Sequence, residues 1–441
     1  MTTPEPPKNA KGFFRRAVAG IGPAIIVACI VLGPGSILTS SKVGCQFGFS
    51  MAWLILVAGV LMLAAVATAT RIGVHFAQTP LQEISDRLGR PLSFVTGLSV
   101  FFIAASFQFG NNLGVLAAIE PLVPISNIGR VICLVILNSL LAVCLFGFKR
   151  IYANLESLMM VMMGIMLCGF AANLFFAGPS FSNLAAGLMP SLPDQLSGNF
   201  FPTVDIKKSS GSKTVLIDPW LAVQGLIATS FSVAGAFYQA FLVREKGLTK
   251  DELSSGFVDS CVGTSVLVIV SLMIMATAST VLMGRVDPGE LKSAGDVAIQ
   301  LEPMFGPAAK WLFCIGILAG AISSFLVNSI LGGTFLADGV GKDSSLDSLW
   351  TKMFSIGVMA IGMIVALSTT SESRVPLIIF AQAVTVLAVP VLAVALLYLG
   401  TRRTEENRMV VPMWLNSINI LGLIVVLLFA LRTVVRIYFQ F

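Results

Sequence analysis

The stretch VLGPGSILTSSKVG, residues 31–44, decides the fold. It lies inside the first hydrophobic segment of the chain, yet two glycines flank a proline, and serines, a threonine and a lysine follow. Proline removes a main-chain hydrogen bond and clashes with the preceding helical turn, so a helix running through Gly33-Pro34-Gly35 is interrupted there. The surroundings set the class. Of 441 residues, 56% are hydrophobic and 11% charged, against a charged fraction of roughly 25% in soluble domains. Apolar runs long enough to cross a hydrocarbon core of about 30 Å recur along the whole length. The chain is therefore read as an all-α polytopic membrane protein.

Cutting at charge, proline and glycine predicts about eleven spans: 17–47, 50–73, 92–119, 128–148, 151–177, 219–243, 256–284, 308–337, 350–369, 375–400 and 411–436. Residues 1–16 read as a disordered cytoplasmic tail and 178–218 as a flexible external loop. The first five-helix repeat occupies 17–177, the second 219–400, and 401–441 adds a loop and one further helix. With the N-terminus inside, most of the 28 Lys and Arg residues, including Arg15, Arg16, Arg71, Arg87, Arg90, Lys149, Arg150, Arg244 and Lys246, fall on the cytoplasmic side. An odd number of spans in each half forces the halves to insert with opposite topology, the signature of an inverted repeat. The chain is expected in the plasma (inner) membrane.

If the halves correspond, the break in the first span needs a partner in the sixth. The sixth reads WLAVQGLIATSFSVAGAFYQAFLVREKG, with Thr229, Ser230, Ser232, Ala234 and Gly235 at its middle. Paired interruptions at equivalent positions point to a transporter's central site. Unwound backbone survives at that depth only where protein or a wet cavity supplies hydrogen-bond partners.

Several classes are set aside. The net charge of +6 reflects loop lysines and arginines, and no aromatic-plus-basic platform suggests nucleic acid. The seven cysteines fall in predicted helices without a CxxC, so neither a disulfide frame nor a zinc site is indicated. No nucleophile elbow, P-loop, HExxH or acidic pair marks an enzyme, and no cofactor is expected. The partners implied are the lipid bilayer and a transported small solute or cation.

At this point the motifs resemble a known family. GPGSILTSSKVGCQFGF (33–49), LMPSLPD (188–194), FLVREKG (241–247) and LEPMFGPAAKWLFCIGILAGAISS (301–324) are similar, in order, to segments of the NRAMP transporters of divalent metals. The resemblance implies a LeuT-type fold, a 5+5 inverted repeat with the first and sixth helices unwound at mid-membrane. It places the substrate site at Gly33, Pro34, Gly35, Ser36, Thr229, Ser232, Ala234, Gly235 and Gln382. It places the coupling route at Gln108, Asn111 and Gln239.

The ligands themselves depart from the family's pattern. The first-helix Asp and Asn are replaced by Gly33 and Ser36, and the sixth-helix Met and His by Ser232 and Ala234. Hard divalent cations are bound by oxygen, usually with at least one carboxylate. Removing one partner of a buried charge pair costs roughly 3–5 kcal/mol, or two to three decades of affinity. Lys42, six residues beyond Ser36 and about 9 Å along the axis, would repel a dication if it faced the site. Its rotation off the Ser36 face allows it instead to snorkel to the interface. The only histidine, His75, lies past the second span, so a proton relay has few stations. Three readings follow: a divalent-cation transporter with altered substrate or coupling, a carrier of a neutral or anionic small solute, or a non-transporting sensor or scaffold.

Overall fold

The computed structural model describes residues 23–147, 161, 168, 170–198, 200–207, 213–369, 374–403 and 409–440. The expected tail, 1–16, lies outside the described residues, as does most of the expected fifth span, 151–177.

The first span is split. Its halves, Pro23–Val31 and Pro34–Phe47, are separated by Leu32 and Gly33. Gly33 is extended (φ −103°, ψ −172°) and caps the second half, with Pro34 at the first helical position, where a missing N–H costs nothing. The sixth span is split likewise into Leu221–Ser230 and Val233–Lys246. No proline breaks it. Ser232 is extended (φ −83°, ψ 91°), and its hydroxyl accepts the Gly235 amide at 3.3 Å, so a serine cap starts the second half.

The other spans are Ala52–His75, Arg90–Ile119, Asn127–Gly147, Leu253–Val281, Ala309–Gly339, Leu349–Leu367, the bent pair Arg374–Val384 and Val389–Gly400, and Met413–Gln440. Among the described residues, eight helical runs are long and apolar enough to cross a membrane, nine with the tenth span's halves, bent by 43°. The difference from eleven has two sources. The fifth span is largely outside the description, and the first span's halves have only 9 and 14 residues, the second of which runs on into the second span.

Small residues let these helices approach closely, as expected where lipid offers no hydrophobic drive between them. A Cβ on Gly263 would lie 2.6 Å from the Ala24 carbonyl, and one on Gly73 2.5 Å from that of Ala240. These contacts fix the seventh span against the first, and the second against the sixth.

At the His75 end of the bundle, Phe237, Phe241 and Phe335 pack with ring centroids 4.9 to 5.4 Å apart. Beyond them Arg244 donates to the Phe76 and Ala77 carbonyls at 2.7 and 2.9 Å. Asp338 accepts from Thr79 Oγ1 at 2.6 Å and from the Leu81 amide at 3.1 Å. That end is sealed. At the opposite, Glu120 end, cavities of about 410 and 680 Å³ open between helix termini.

The 178–218 segment, expected as flexible loop, carries structure. Phe181–Gly187 is helical, and Thr203–Lys207 pairs antiparallel with Lys213–Ile217. Its β-branched, alternating residues explain the hairpin. The last span is clamped nearby: Arg432, wholly buried, and Arg436 both pair with Asp218, and Arg432 also donates to Gln224 Oε1 at 2.6 Å.

Candidate functional site

The two breaks face one another. A Cβ on Gly235, in the first turn after the sixth-span break, would lie 3.6 Å from Ile30 Cγ2, in the last turn before the first-span break. Around them, groups from the third, eighth and tenth spans converge.

The end of the inner half-helix is held by the eighth span. Ser324 Oγ and Asn328 Nδ2 both donate to the Ile30 carbonyl at 3.4 Å. Asn328 Nδ2 also reaches Ser324 Oγ at 2.8 Å. From the third span, Asn111 Nδ2 donates to Ser324 Oγ at 3.5 Å and to Gln108 Oε1 at 3.0 Å. Gln108 in turn donates to the Phe325 carbonyl at 2.5 Å. Gly33 sits against this cluster: a Cβ there would meet Ser324 Oγ at 2.8 Å and Asn111 Oδ1 at 3.5 Å.

Gln382, from the tenth span, occupies a slot between glycines. A Cβ on Gly35 would overlap its amide, and one on Gly110 would lie 3.0 Å from Nε2. Pro34 packs against Gly114 of the same third-span face. Gln382 is 4% exposed, and its Oε1 has no hydrogen-bond partner among the described residues. Asn328 Oδ1 and Ser40 Oγ are buried and unpartnered as well.

The expected hydroxyls are arranged differently. Ser36 donates to the Gly33 carbonyl at 2.9 Å, Thr39 to that of Gly35, and Thr229 to Gly225 and Leu226 at 3.0 Å. Each returns its proton to its own helix and leaves only oxygen lone pairs for a ligand. Ser232 is a cap, and Ala234, 1% exposed, belongs to the apolar core. Gln239 does not sit at the break. It lies further along the sixth span, where Nε2 meets Asp259 Oδ2 at 3.4 Å. The same buried carboxylate oxygen accepts the Ala24 amide at 3.0 Å, at the start of the first span. Lys42 is half-buried, one turn before Cys45, which lines a cavity at the Glu120 end together with Asp287.

Ser324 and Asn328 were not anticipated from the sequence. The available signal was the i, i+4 spacing of two small polar residues on one face of an otherwise apolar helix. Among the described residues, no three of His, Cys, Asp or Glu cluster so as to hold a metal ion. The break is lined by neutral dipoles.

Residues 24–436 match the natural resistance-associated macrophage protein-like family. The chain belongs to the NRAMP family. Its sequence is similar to the divalent metal cation transporter MntH of Pectobacterium carotovorum, 24% identical over 420 residues covering 93% of this chain and 92% of that one. It is likewise 24% identical to the MntH of Deinococcus radiodurans over 423 residues, 95% and 89% of the two chains. A manganese transporter of Eremococcus coleocola superposes with a TM-score of 0.73 at 19% identity, covering 98% of this chain and 88% of that one. This NRAMP chain thus has the LeuT-type fold expected of it, and its relatives are transporters rather than enzymes.

Proposed function

We propose that this NRAMP protein is a secondary-active transporter that moves a divalent cation with part of its hydration shell retained. One observation carries this reading. The unpartnered buried groups at the break are amide oxygens, Gln382 Oε1 and Asn328 Oδ1, and so are ready acceptors for a cation. Amide carbonyls and waters are ordinary ligands of hard divalent ions, which part reluctantly with water when they are as small as Mg²⁺. Without a carboxylate or thioether, the set lacks the groups that favour a stripped transition metal.

In this reading Gly33, Pro34, Gly35 and Gln382 form one side of the site, and Thr229, Ser232, Ala234 and Gly235 the other. Gln108 and Asn111, with Gln239 beside Asp259, lie along the coupling route. The repeats are 17–177 and 219–400, joined by 178–218. The N-terminus is cytoplasmic, so the His75 end faces the cytoplasm and the Glu120 end faces outward; the charge bias supports this orientation.

Proteoliposome uptake tests the proposal. Mg²⁺ or Mn²⁺ flux should saturate only well above micromolar concentration, and Gln382→Leu should abolish it while leaving thermal stability equal or higher. Micromolar Mn²⁺ affinity by calorimetry, or divalent flux indifferent to Gln382, would refute it. The second reading, a neutral or anionic small solute, is favoured by the outer half-helix, whose N-terminal amides begin at Gly35 behind Pro34 and attract negative charge. Solute uptake without divalent flux would establish that reading instead.

A further inference from the structure

At the Glu120 end, the close of the third span, the starts of the eighth and tenth, and the short turn Ala294–Val297 enclose a cavity of about 410 Å³. Its charged lining is Glu120, Asp296, Lys310 and Arg374. Arg374 is 2% exposed and donates from Nε and Nη2 to the two oxygens of Glu120 at 3.2 and 3.0 Å. Its third nitrogen, Nη1, is buried and has no partner among the described residues.

Both carboxylates of the lining have other partners. Glu120 is already held by Arg374 and by Arg130, whose Nε lies 2.8 Å from Oε1. Asp296 turns its Oδ2 to the amides of Lys292 and Ser293 at 3.1 and 2.7 Å. On the rim stands Lys310, exposed. Gly295 keeps the space beside it open, since a Cβ there would lie 3.6 Å from Lys310 Cε. Arg374 Nη1 and the Lys310 ammonium are thus cationic donors in this cavity without a partner among the described residues, and leaving a buried charged donor unmade is costly.

We propose that this cavity binds a small soluble anion, chloride or a compact carboxylate or phosphate, between Arg374 Nη1 and the Lys310 ammonium. The site lies one turn along the third span from Gly114, which backs Pro34, and about 12 Å along the tenth span from Gln382. It is separate from the break, and its test reads binding rather than transport, so it stands or falls apart from the proposed cargo.

The test is thermal unfolding of the purified full chain in detergent, with chloride, acetate or phosphate titrated against bulky gluconate at fixed ionic strength. At least one of the three should raise the melting temperature saturably. Lys310→Met should weaken the apparent affinity by about tenfold, and Lys310→Glu should remove the effect. Both variants alter an exposed side chain and should melt like the parent in gluconate. A response no different from gluconate, or a Lys310→Glu variant that titrates like the parent, overturns the proposal. In nanodiscs of phosphatidylcholine the shift should persist. A shift seen only when phosphatidylglycerol is added assigns the cavity to a lipid headgroup and also overturns it.

Discussion

Replacing Gly33 by aspartate would place a carboxylate at the break, and the structure sets what that change does. The new Cβ would lie 2.8 Å from Ser324 Oγ and 3.1 Å from Ser324 Cβ, closer than side chains sit, with the acceptor Asn111 Oδ1 at 3.5 Å. Overpacking of this kind costs about 1–3 kcal/mol. A buried carboxylate without a counter-charge costs about 3–5 kcal/mol more. Gly33→Asp without metal should therefore lose about 4–8 kcal/mol of stability. Mn²⁺ at about one hundred times its dissociation constant returns only about 2.7 kcal/mol, so rescue should be partial. Adding Ser324→Gly removes the clash, at about 1 kcal/mol for glycine in a helix, and should bring the metal-bound variant closer to the parent. The assay is thermal unfolding in chelator and in Mn²⁺. Two results would refute the reasoning: a metal-free Gly33→Asp protein as stable as the parent, or a parent that Mn²⁺ stabilises as much as the variant.

Further outcomes follow from single contacts. Ser232→Ala removes the cap on Gly235 and should destabilise by about 1 kcal/mol, whereas Ser232→Thr should keep it; thermal melts distinguish them. Asp218→Asn leaves Arg432 and Arg436 buried without their carboxylate and should cost about 3–5 kcal/mol, part of which Arg436→Met in the same chain should recover. Gly73→Val meets the Ala240 carbonyl, a main-chain atom that cannot rotate aside, and should eliminate the monodisperse peak in size-exclusion chromatography.

Much of the fold was legible because breaks in apolar runs are written in residue types. Gly33-Pro34-Gly35 stops a helix wherever it stands, and the serines around Phe231 cap one without proline. What hydropathy does not encode is rotation. Ser324 and Asn328 read like any interhelical polar pair until the eighth helix is turned to face Ile30. Ser36 and Thr229 read like ligands until their protons are found on their own carbonyls. Nothing in the local sequence marks Arg432 as buried, because its partner, Asp218, is far away in sequence. The hairpin at 203–217 did leave a period-two pattern, masked by the polar KSSGS between its strands.

The persistence of the break without a carboxylate is itself a physical statement. An interrupted helix at mid-membrane exposes main-chain groups, each costing several kcal/mol if unmet in hydrocarbon. Here the Ile30 carbonyl has two side-chain donors from the eighth span, Gly33 N turns back to the Val31 carbonyl at 2.9 Å, and Ser232 takes the Gly235 amide. A continuous helix would meet the same needs with no help from neighbours. The chain instead packs Ser324, Asn328 and Gln382 against the break, and leaves two buried amide oxygens without partners among the described residues. Packing alone would have put methyl groups at these positions. In the proposed reading, the amide oxygens serve a cargo that accepts their lone pairs in place of water and leaves again because no fixed charge holds it.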